Sequence, residues 1–325
     1  FVLLIHFIFK VMKDFKHFGV KRRLFPEHNY NAVWCNLKTI RLGEGKAEAL
    51  PPSESEFYDV GINTRCNAEC PFCYVSASGK GINYSNICET WKKWMETFWE
   101  KQGNNVTLTN KPFQIAIGST GEPTIHPEFC EFLETVYNTG VVPNYTTNGI
   151  VLAAWCNPLS INYELANKIL EYTAKYVGGV AVSFGNSSIR EWAREAINGL
   201  IAKGNTNINI HHIISDKKSV NAFVEEWLRY GDSILYRVLL PLMPAGRSES
   251  GVEDGVWEYL EEMIQMHEIK NVAFGAHFIK YLRGSKIKTW LYDEESFSKN
   301  IILTPDKVQI TPSSFDLNPI EIINL

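Results

Sequence analysis

The sequence lacks the charge pattern of a nucleic-acid-binding protein. Its 325 residues carry a formal net charge of −4, and no block of like charge is longer than Lys21-Arg22-Arg23. A DNA- or RNA-binding surface needs concentrated lysine and arginine, because contacts to phosphate supply most of the affinity. Nucleic acid is therefore not expected as a partner.

A long apolar segment is also missing. The first residues, FVLLIHFIFK, form a largely apolar run of nine residues before Lys10. Such a run is too short to span a bilayer, and no small-residue cleavage site follows it. We expect no membrane span, and a membrane-surface helix is the weaker alternative. Because the chain begins with Phe1, we expect a fragment or an over-extended reading frame that truly starts at Met12.

Cysteine is scarce, and its distribution is uneven. The seven cysteines are odd in number and lack the spacing of a small secreted disulfide scaffold, which predicts a reducing cytoplasm as the location. Three of them, Cys66, Cys70 and Cys73, lie within RCNAECPFCY at 65–74 in a CxxxCxxC spacing. Soft thiolates at this density suit zinc or an iron–sulfur cluster.

The missing partner motif helps to decide between these metals. Zinc sites usually combine one CxxC pair with a second CxxC or HxxxH pair, and the sequence contains no such second pair. Three cysteines can hold three irons of a four-iron cluster and leave the fourth iron open for chemistry. A zinc site or a chance cluster remains the alternative.

The CxxxCxxC motif, with the aromatic Phe72 before the last cysteine, resembles the signature of the radical S-adenosylmethionine (radical SAM) enzymes. In that family the open iron chelates S-adenosyl-L-methionine (SAM). One electron cleaves SAM to methionine and a 5′-deoxyadenosyl radical, which abstracts hydrogen from a substrate. The resemblance implies a 4Fe-4S cluster on Cys66, Cys70 and Cys73, and an electron donor such as flavodoxin or ferredoxin. It covers roughly residues 57–247.

The rest of the chain alternates apolar strands and amphipathic helices. Short connections predict a parallel sheet with right-handed crossovers. The helical stripes are expected to bury Trp99 in the first helix and Leu165, Trp192 and Leu228 in later ones. The predicted strands are 57–63, 113–118, 141–147, 180–184, 208–214 and 234–240.

Six β/α units cannot be told from part of an eight-fold barrel by pattern alone, and the resemblance implies a partial TIM-like (β/α)6 barrel. We expect three parts: an N-terminal segment (1–55), a radical SAM core (56–270) and a C-terminal extension (271–325). The N-terminal segment is expected to hold a β-hairpin turned at Gly43-Glu44-Gly45. The C-terminal extension is expected to hold a short hairpin turned at Pro305-Asp306.

Polar residues follow several predicted strand ends, where parallel β/α folds place their sites. GSTGEP at 118–123 resembles the Gly-Gly-Glu motif of the family followed by proline. The resemblance implies that Gly121 admits the ligand to the backbone and that Glu122 receives the methionine ammonium of SAM. Thr120 departs from the motif, because the family has glycine there, and this puts the backbone contact in question.

The next two strand ends add two further candidates. Asn148, in a TNG stretch after the third strand, resembles a residue near the SAM ribose, and an ordinary Asn-Gly turn is the alternative. Ser183 ends the fourth strand, where the family places a polar residue for the SAM ribose or carboxylate. The resemblance also implies that Phe72 and Tyr74 pack beside the cluster and the adenine.

Three further polar residues are weaker candidates for contact with SAM or substrate. Arg194 lies two turns into the fourth helix, and a solvated helix face is its alternative. Alternation along the fifth strand turns Asn209 and His211 towards the barrel lumen. For His211, a hydrogen-bonded core residue is the alternative.

Strand six offers Arg237 on the expected lumen face. After it, LLPLMPAGR at 239–247 resembles the stretch of several radical SAM subfamilies whose backbone lines the adenine.

The C-terminal region lacks cysteine, since none follows Cys156. SPASM and twitch members of the family carry C-terminal cysteines for auxiliary clusters. Here DKVQITPSSF resembles their Pro-Cys-Ser-Phe segment, with Ser313 in the place of the cysteine. The sequence thus predicts a shortened extension and a single cluster.

The tail and hairpin favour a peptide substrate. A small metabolite or nucleoside substrate is the second choice, and activation of a glycyl-radical enzyme is the third. A non-catalytic metal-binding protein is the alternative from a different class.

Overall fold

The computed structural model of the chain describes residues 21–25, 30–35, 38–43, 57–102, 105–108, 111–185, 187–275, 278, 298–312 and 317–325. The predictions made for Phe1, Met12 and Ser313 lie outside these residues, as does the extended stretch expected after Gly45. How the chain divides into domains stays a prediction.

Strands and helices alternate along the described residues. The strands are β1 (Lys21–Phe25), β2 (Tyr30–Cys35), β3 (Lys38–Gly43), β4 (Phe57–Gly61), β5 (Trp99–Gln102), β6 (Asn105–Leu108), β7 (Gln114–Ile117), β8 (Val142–Thr147), β9 (Gly179–Ser183), β10 (Ile208–Ile214), β11 (Tyr236–Pro241), β12 (Val272–Phe274), β13 (Ser298–Thr304), β14 (Lys307–Thr311) and β15 (Glu321–Asn324). The α-helices are α1 (Ile87–Glu96), α2 (Phe129–Asn138), α3 (Tyr163–Tyr176), α4 (Arg190–Ala202), α5 (Lys217–Tyr230) and α6 (Val256–Met266).

A ten-stranded sheet forms the centre of the molecule, in the order β12-β11-β10-β9-β8-β7-β4-β13-β14-β15. Neighbouring strands from β12 to β13 pair in parallel, whereas β14 and β15 are antiparallel. The six predicted strands correspond to β4, β7, β8, β9, β10 and β11, so the predicted α/β class is confirmed. The sheet ends at β12 and β15, and the described strands do not close into a barrel.

The C-terminal hairpin turns where the sequence predicted it. β13 pairs with β14 in the register Thr304↔Lys307, and Asp306 takes a left-handed φ of 59° in the turn. Aspartate tolerates this conformation better than most residues. β13 also pairs in parallel with β4, so the hairpin extends the sheet on the side of the first core strand.

Apolar helix stripes cover the outer face of the sheet. In β4, Tyr58 and Val60 are fully buried, and the ring of Tyr58 meets that of Trp94 of α1 edge-on at 5.4 Å. Alternation along β4 therefore turns Asp59 to the opposite face. None of the helices in the described residues is long and apolar enough to cross a bilayer.

Some of the predicted helix faces were wrong. Trp99 lies in β5 instead of the first helix. Leu165, Trp192 and Leu228 are 40%, 49% and 67% exposed. In α3 the buried stripe begins at Ala166, one residue after the leucine. The prediction relied on the largest apolar side chains, and a small residue can hold a buried position equally well.

The N-terminal strands form a separate antiparallel sheet of order β1-β2-β3. Cys35 pairs with Lys38, so β2 turns into β3 after Cys35. Gly43 pairs with Tyr30 at the far end of the same ladder, so the stretch predicted as one strand before Gly43 folds back on itself. The turn expected at Gly43-Glu44-Gly45 lies outside the described residues after Gly43 and stays a prediction. Trp34 packs with Phe113 and Val142 at the amino-terminal ends of β7 and β8. This sheet therefore contacts the end of the core opposite to the cysteine loop.

Candidate active site

A cavity of about 420 Å³ opens at the carboxyl ends of the parallel strands. This size falls within the usual range for small-molecule sites. Its walls come from the loops after β4, β7 and β8 and from the ends of β9, β10 and β11. Among the residues that line it are Cys66, Cys70, Cys73, Glu122, Asn148 and His211.

The cysteine loop is compact and turns back on itself. The Cys73 amide donates to the Cys70 carbonyl at 3.2 Å, and the Cys66 amide donates to the Ser78 carbonyl at 2.9 Å. None of these three cysteines is in a disulfide bond. Burial raises the pKa of Cys66, a backbone hydrogen bond at Ala68 lowers it, and the charges of nearby acidic groups raise it further.

The three motif thiols share one space. Cys66, Cys70 and Cys73 all line the cavity, so three soft sulfur ligands are brought together there. Among the described residues, no three histidine, cysteine or carboxylate side chains are grouped as ligands of one metal ion.

The carboxylate of Glu122 lies in the loop after β7. In the described structure, every hydrogen bond that this carboxylate accepts comes from an uncharged donor. Its Oε1 accepts from Thr124 N at 3.2 Å, Thr124 Oγ1 at 2.6 Å and Thr147 Oγ1 at 2.8 Å. Its Oε2 accepts from Asn148 N at 2.8 Å. Burial raises the pKa of Glu122, and these hydrogen bonds oppose the rise. These four donors orient the carboxylate, and none of them carries a positive charge.

Thr120 is accommodated without blocking the cavity. Its Oγ1 donates to the Asn63 carbonyl at 2.6 Å, and a Cβ at Gly61 would lie 2.4 Å from that Oγ1. Gly61 therefore makes room for the threonine side chain. A Cβ at Gly121 would lie 2.6 Å from the Arg65 carbonyl oxygen, so Gly121 is required by close backbone approach.

Two residues of the cavity wall were missed by the sequence analysis. Ser119 is 8% exposed, and its Oγ has no hydrogen-bond partner in the described structure. It lines the cavity, which leaves a buried hydroxyl for a ligand. Asp59 also lines the cavity. Its signal was available, because it is the one charged residue in the alternating strand FYDVG.

Asn148 serves the turn and the cysteine loop together. Its Oδ1 accepts from Ile150 N at 3.0 Å, as in an ordinary Asx turn. Its Nδ2 donates to Asn67 Oδ1 at 2.8 Å and lies 3.8 Å from Cys66 Sγ. Asn148 therefore forms an ordinary turn and also lies beside the cysteine loop, so the turn does not conflict with the predicted position near the SAM ribose. Ser183, at the end of β9, lines the same cavity.

The aromatic residues of the motif form another part of the wall. Phe72 and Tyr74 line the cavity. The Phe72 ring lies against Gly185, where a Cβ would be 2.9 Å from Cζ. The Tyr74 hydroxyl donates to the Ser119 carbonyl at 3.1 Å, which ties the cysteine loop to the loop after β7.

Strand β10 places adjacent histidines on opposite faces. His211 lines the cavity, and burial lowers its pKa to about 4. His212 lies between the rings of Phe184 and Phe223. Asn209 is not among the residues that line the cavity, although alternation puts it on the same side as His211.

The two arginine candidates lie elsewhere. Arg237 was expected to face the lumen, and this was wrong: its guanidinium lies 4.3 Å over the Trp227 ring and donates to the Gly231 carbonyl at 2.6 Å. Arg194 forms ion pairs with Glu226 and Glu191 and is not among the cavity residues.

The fold resembles solved structures at low sequence identity. Streptococcus suis SuiB bound to its precursor peptide SuiA matches with a TM-score of 0.56 and 14% identity, over 80% of this chain and 60% of that chain. SuiB bound to S-adenosylmethionine matches with a TM-score of 0.53 and 13% identity, over 79% of this chain and 60% of that chain.

The matched region thus spans about 60% of the SuiB length. At such identity the likeness shows the fold alone, a mostly parallel α/β sheet. No protein-family model and no curated protein matches the chain.

Proposed function

We propose that the chain is a radical SAM enzyme with a single 4Fe-4S cluster. The observation that carries the proposal is the joint presence of Cys66, Cys70, Cys73 and Glu122 on one cavity. The cysteines and Glu122 come from different loops of the chain. A chance cysteine cluster would have no reason to lie beside an oriented, buried carboxylate.

In this proposal the three cysteines ligate the cluster, which when bound supplies the electron that cleaves SAM. Glu122 receives the ammonium of the SAM methionine, because its carboxylate is oriented by neutral donors and suits a cationic ligand. Ser119, Asn148 and Ser183 offer polar atoms to the rest of SAM. A one-electron donor such as flavodoxin or ferredoxin, and a cytoplasmic location, belong to the same proposal.

The remaining walls exclude water and position the ligand. Phe72 offers a flat apolar surface to the adenine, and Tyr74 fixes the cysteine loop beside it. His211 is a neutral hydrogen-bonding group at neutral pH, since its pKa lies at about 4. A neutral imidazole can orient SAM or substrate without adding charge.

We propose a peptide as the substrate class. The support is the resemblance of the C-terminal tail to peptide-modifying members and the structural match to SuiB bound to its precursor peptide. The described C-terminal hairpin extends the sheet beside β4, which is compatible with a shortened twitch-like extension.

The test is anaerobic reconstitution with iron and sulfide, followed by SAM and a strong reductant, with mass spectrometry for 5′-deoxyadenosine. Wild type should hold about four irons per chain and release the nucleoside, and Cys70→Ala should release none. The matched control is Cys156→Ala, which removes an exposed cysteine outside the motif and should keep the activity. Failure of wild type to assemble any cluster would overturn the proposal, and about eight irons per chain would overturn the single-cluster assignment.

A further inference from the structure

The segment after β11 returns across the cysteine loop. Gly246 adopts a left-handed φ of 62°. A Cβ at this position would lie 2.2 Å from the Cys73 carbonyl oxygen and 2.4 Å from that of Tyr74. Glycine is therefore needed here for two reasons, the backbone conformation and the close approach to the loop.

Arg247 follows and donates to the cysteine loop through three nitrogen atoms. Its backbone N donates to the Cys73 carbonyl at 3.0 Å. Its Nε donates to the Cys70 carbonyl at 2.8 Å, and its Nη1 donates to the Ala77 carbonyl at 2.8 Å. One side chain thus joins both ends of the loop that carries the second and third motif cysteines.

A guanidinium is suited to this role. Its planar fork reaches two carbonyl groups at once, which the single ammonium of lysine does not reproduce. Hydrogen bonds from a charged donor are also stronger than those from a neutral one. The fourth nitrogen, Nη2, is buried and has no hydrogen-bond partner in the described structure, so its two N–H groups remain for a bound group.

The position of this charge has an electrostatic consequence. A cluster on three thiolates carries negative charge, and hydrogen bonds and charges near the sulfurs set its reduction potential. A permanent cation bonded to the carbonyls of Cys70 and Ala77 would stabilise the reduced, more negative state. Removal of the cation should therefore make the cluster harder to reduce.

We propose that Arg247 is a positioning residue that holds the cysteine loop ready for the cluster and raises the reduction potential of the cluster. This inference rests on the proposed function. It assigns to the loop after β11 a role distinct from that of lining the adenine, because the contacts are made to the carbonyls of the cysteine loop.

The experiment compares Arg247→Gln and Arg247→Lys with wild type. The matched control is Arg229→Gln, which removes an arginine from the outer face of α5, with its side chain 53% exposed. Thiol alkylation is measured on the metal-free proteins, and iron content and the midpoint potential, by redox titration followed by electron paramagnetic resonance, are measured on the reconstituted ones.

In Arg247→Gln we expect about tenfold faster alkylation of the motif cysteines, as for loss of one charged hydrogen bond. We also expect less bound iron and a more negative midpoint potential. Arg247→Lys should alkylate as fast as the glutamine variant yet keep a potential near that of wild type, because it keeps the charge and loses the fork. The control should match wild type in all three readouts.

Wild-type values in both Arg247 variants would overturn the inference. So would equal potentials in the lysine and glutamine variants, since the charge would then have no effect. If the glutamine variant does not fold, the alkylation rate of the lysine variant tests whether Arg247 holds the cysteine loop. If wild type assembles no cluster, the proposed function fails, and the alkylation of the metal-free proteins still tests whether Arg247 holds the loop.

Discussion

Two buried carboxylates, Glu122 and Glu226, have opposite electrostatic surroundings. Both are almost completely buried, at 3% and 0% exposure. Glu226, on α5, forms an ion pair with Arg194 of α4, whose Nε lies 3.1 Å from its Oε1. Arg229 lies on its other side, with Nε 3.8 Å from Oε2. The hydrogen-bond donors recorded for Glu122 are all neutral.

The difference separates a structural carboxylate from one that suits a ligand. A buried charge is costly unless it is paired and hydrogen-bonded. Glu226 has its counter-charge within the fold and holds α4 to α5. Among the described residues, the hydrogen-bond donors to Glu122 include no cation, and burial raises its pKa. In the proposed function, the fold orients this carboxylate and a cationic ligand neutralises its charge.

The largest expected effect in this comparison is on stability, in Glu226→Gln. Loss of one member of a buried ion pair typically lowers the free energy of unfolding by about 3–5 kcal/mol. Arg194 keeps Glu191 as a second partner, so we expect about 3 kcal/mol. Urea unfolding followed by circular dichroism measures it.

The affinity of this variant for SAM, measured on the reconstituted protein, should equal that of wild type. A folded Glu226→Gln protein that binds SAM more weakly would break the division between the two carboxylates.

Glu122→Gln should show the reverse pattern, with a large change in binding and a small one in stability. The neutral amide loses the attraction to the ammonium of SAM, and loss of a charged hydrogen bond costs about 1.5–3 kcal/mol. We therefore expect SAM affinity to fall at least about tenfold, as measured by isothermal titration calorimetry.

The free energy of unfolding of Glu122→Gln should change by only about 1 kcal/mol, because one NH₂ group would face the Asn148 amide. Equal SAM affinity in Glu122→Gln and wild type would remove Glu122 from the proposed site.

The sequence could predict those parts of this site that depend on local pattern. The positions of the six core strands and the α/β class followed from the apolar patterns. The cysteines and Glu122 followed from motifs placed after the first two core strands, and the structure puts them on one cavity. Even Asp59 could have been found, since it interrupts an otherwise apolar alternation on the face away from the helices.

Other features depend on contacts between residues far apart in the chain. Arg237 faces the helices because β11 pairs Arg237 with Ile210, and a stacking partner, Trp227, lies on the preceding helix. Arg194 is a partly buried structural cation because Glu226 lies opposite it on the next helix. In a single sequence, a charged residue on a helix gives no sign of which neighbour will cover it.

The pH dependence of the free energy of unfolding tests the surroundings of Glu122 in another way, and its expected effect is smaller. The folded-state pKa of Glu122 is raised above its ordinary value of 4.5, so the folded state holds this proton more tightly than the unfolded state. Glu122 therefore contributes stability that is complete below pH 4.5 and is lost as pH rises through the folded pKa. A tenfold difference in proton affinity between the two states is worth about 1.4 kcal/mol of stability.

The buried histidines act with the opposite sign. Burial lowers the pKa of His211 to about 4 and that of His212 to about 3, so their contribution is lost as pH falls below 6.5. The measurement is therefore the difference in unfolding free energy between wild type and Glu122→Gln from about pH 4 to about pH 8. A difference that does not vary with pH would show that Glu122 has no raised pKa.

The smallest expected effect comes from Thr147→Val, which removes one neutral donor and leaves the Glu122 charge in place. Thr147 Oγ1 donates to Glu122 Oε1 at 2.8 Å and accepts from Gly149 N at 3.1 Å. Loss of one neutral hydrogen bond costs about 1 kcal/mol, so SAM affinity should fall roughly three- to fivefold.

The matched control is Thr173→Val. This buried threonine bonds to Tyr145 and Ile169, and its loss should lower stability by about 1 kcal/mol with no change in SAM affinity. If Thr147→Val weakens binding and Thr173→Val does not, orientation by neutral donors contributes to recognition separately from charge. If Thr147→Val binds SAM as wild type does, the charge of Glu122 is sufficient, and its hydrogen-bond donors serve only to make burial of the carboxylate tolerable.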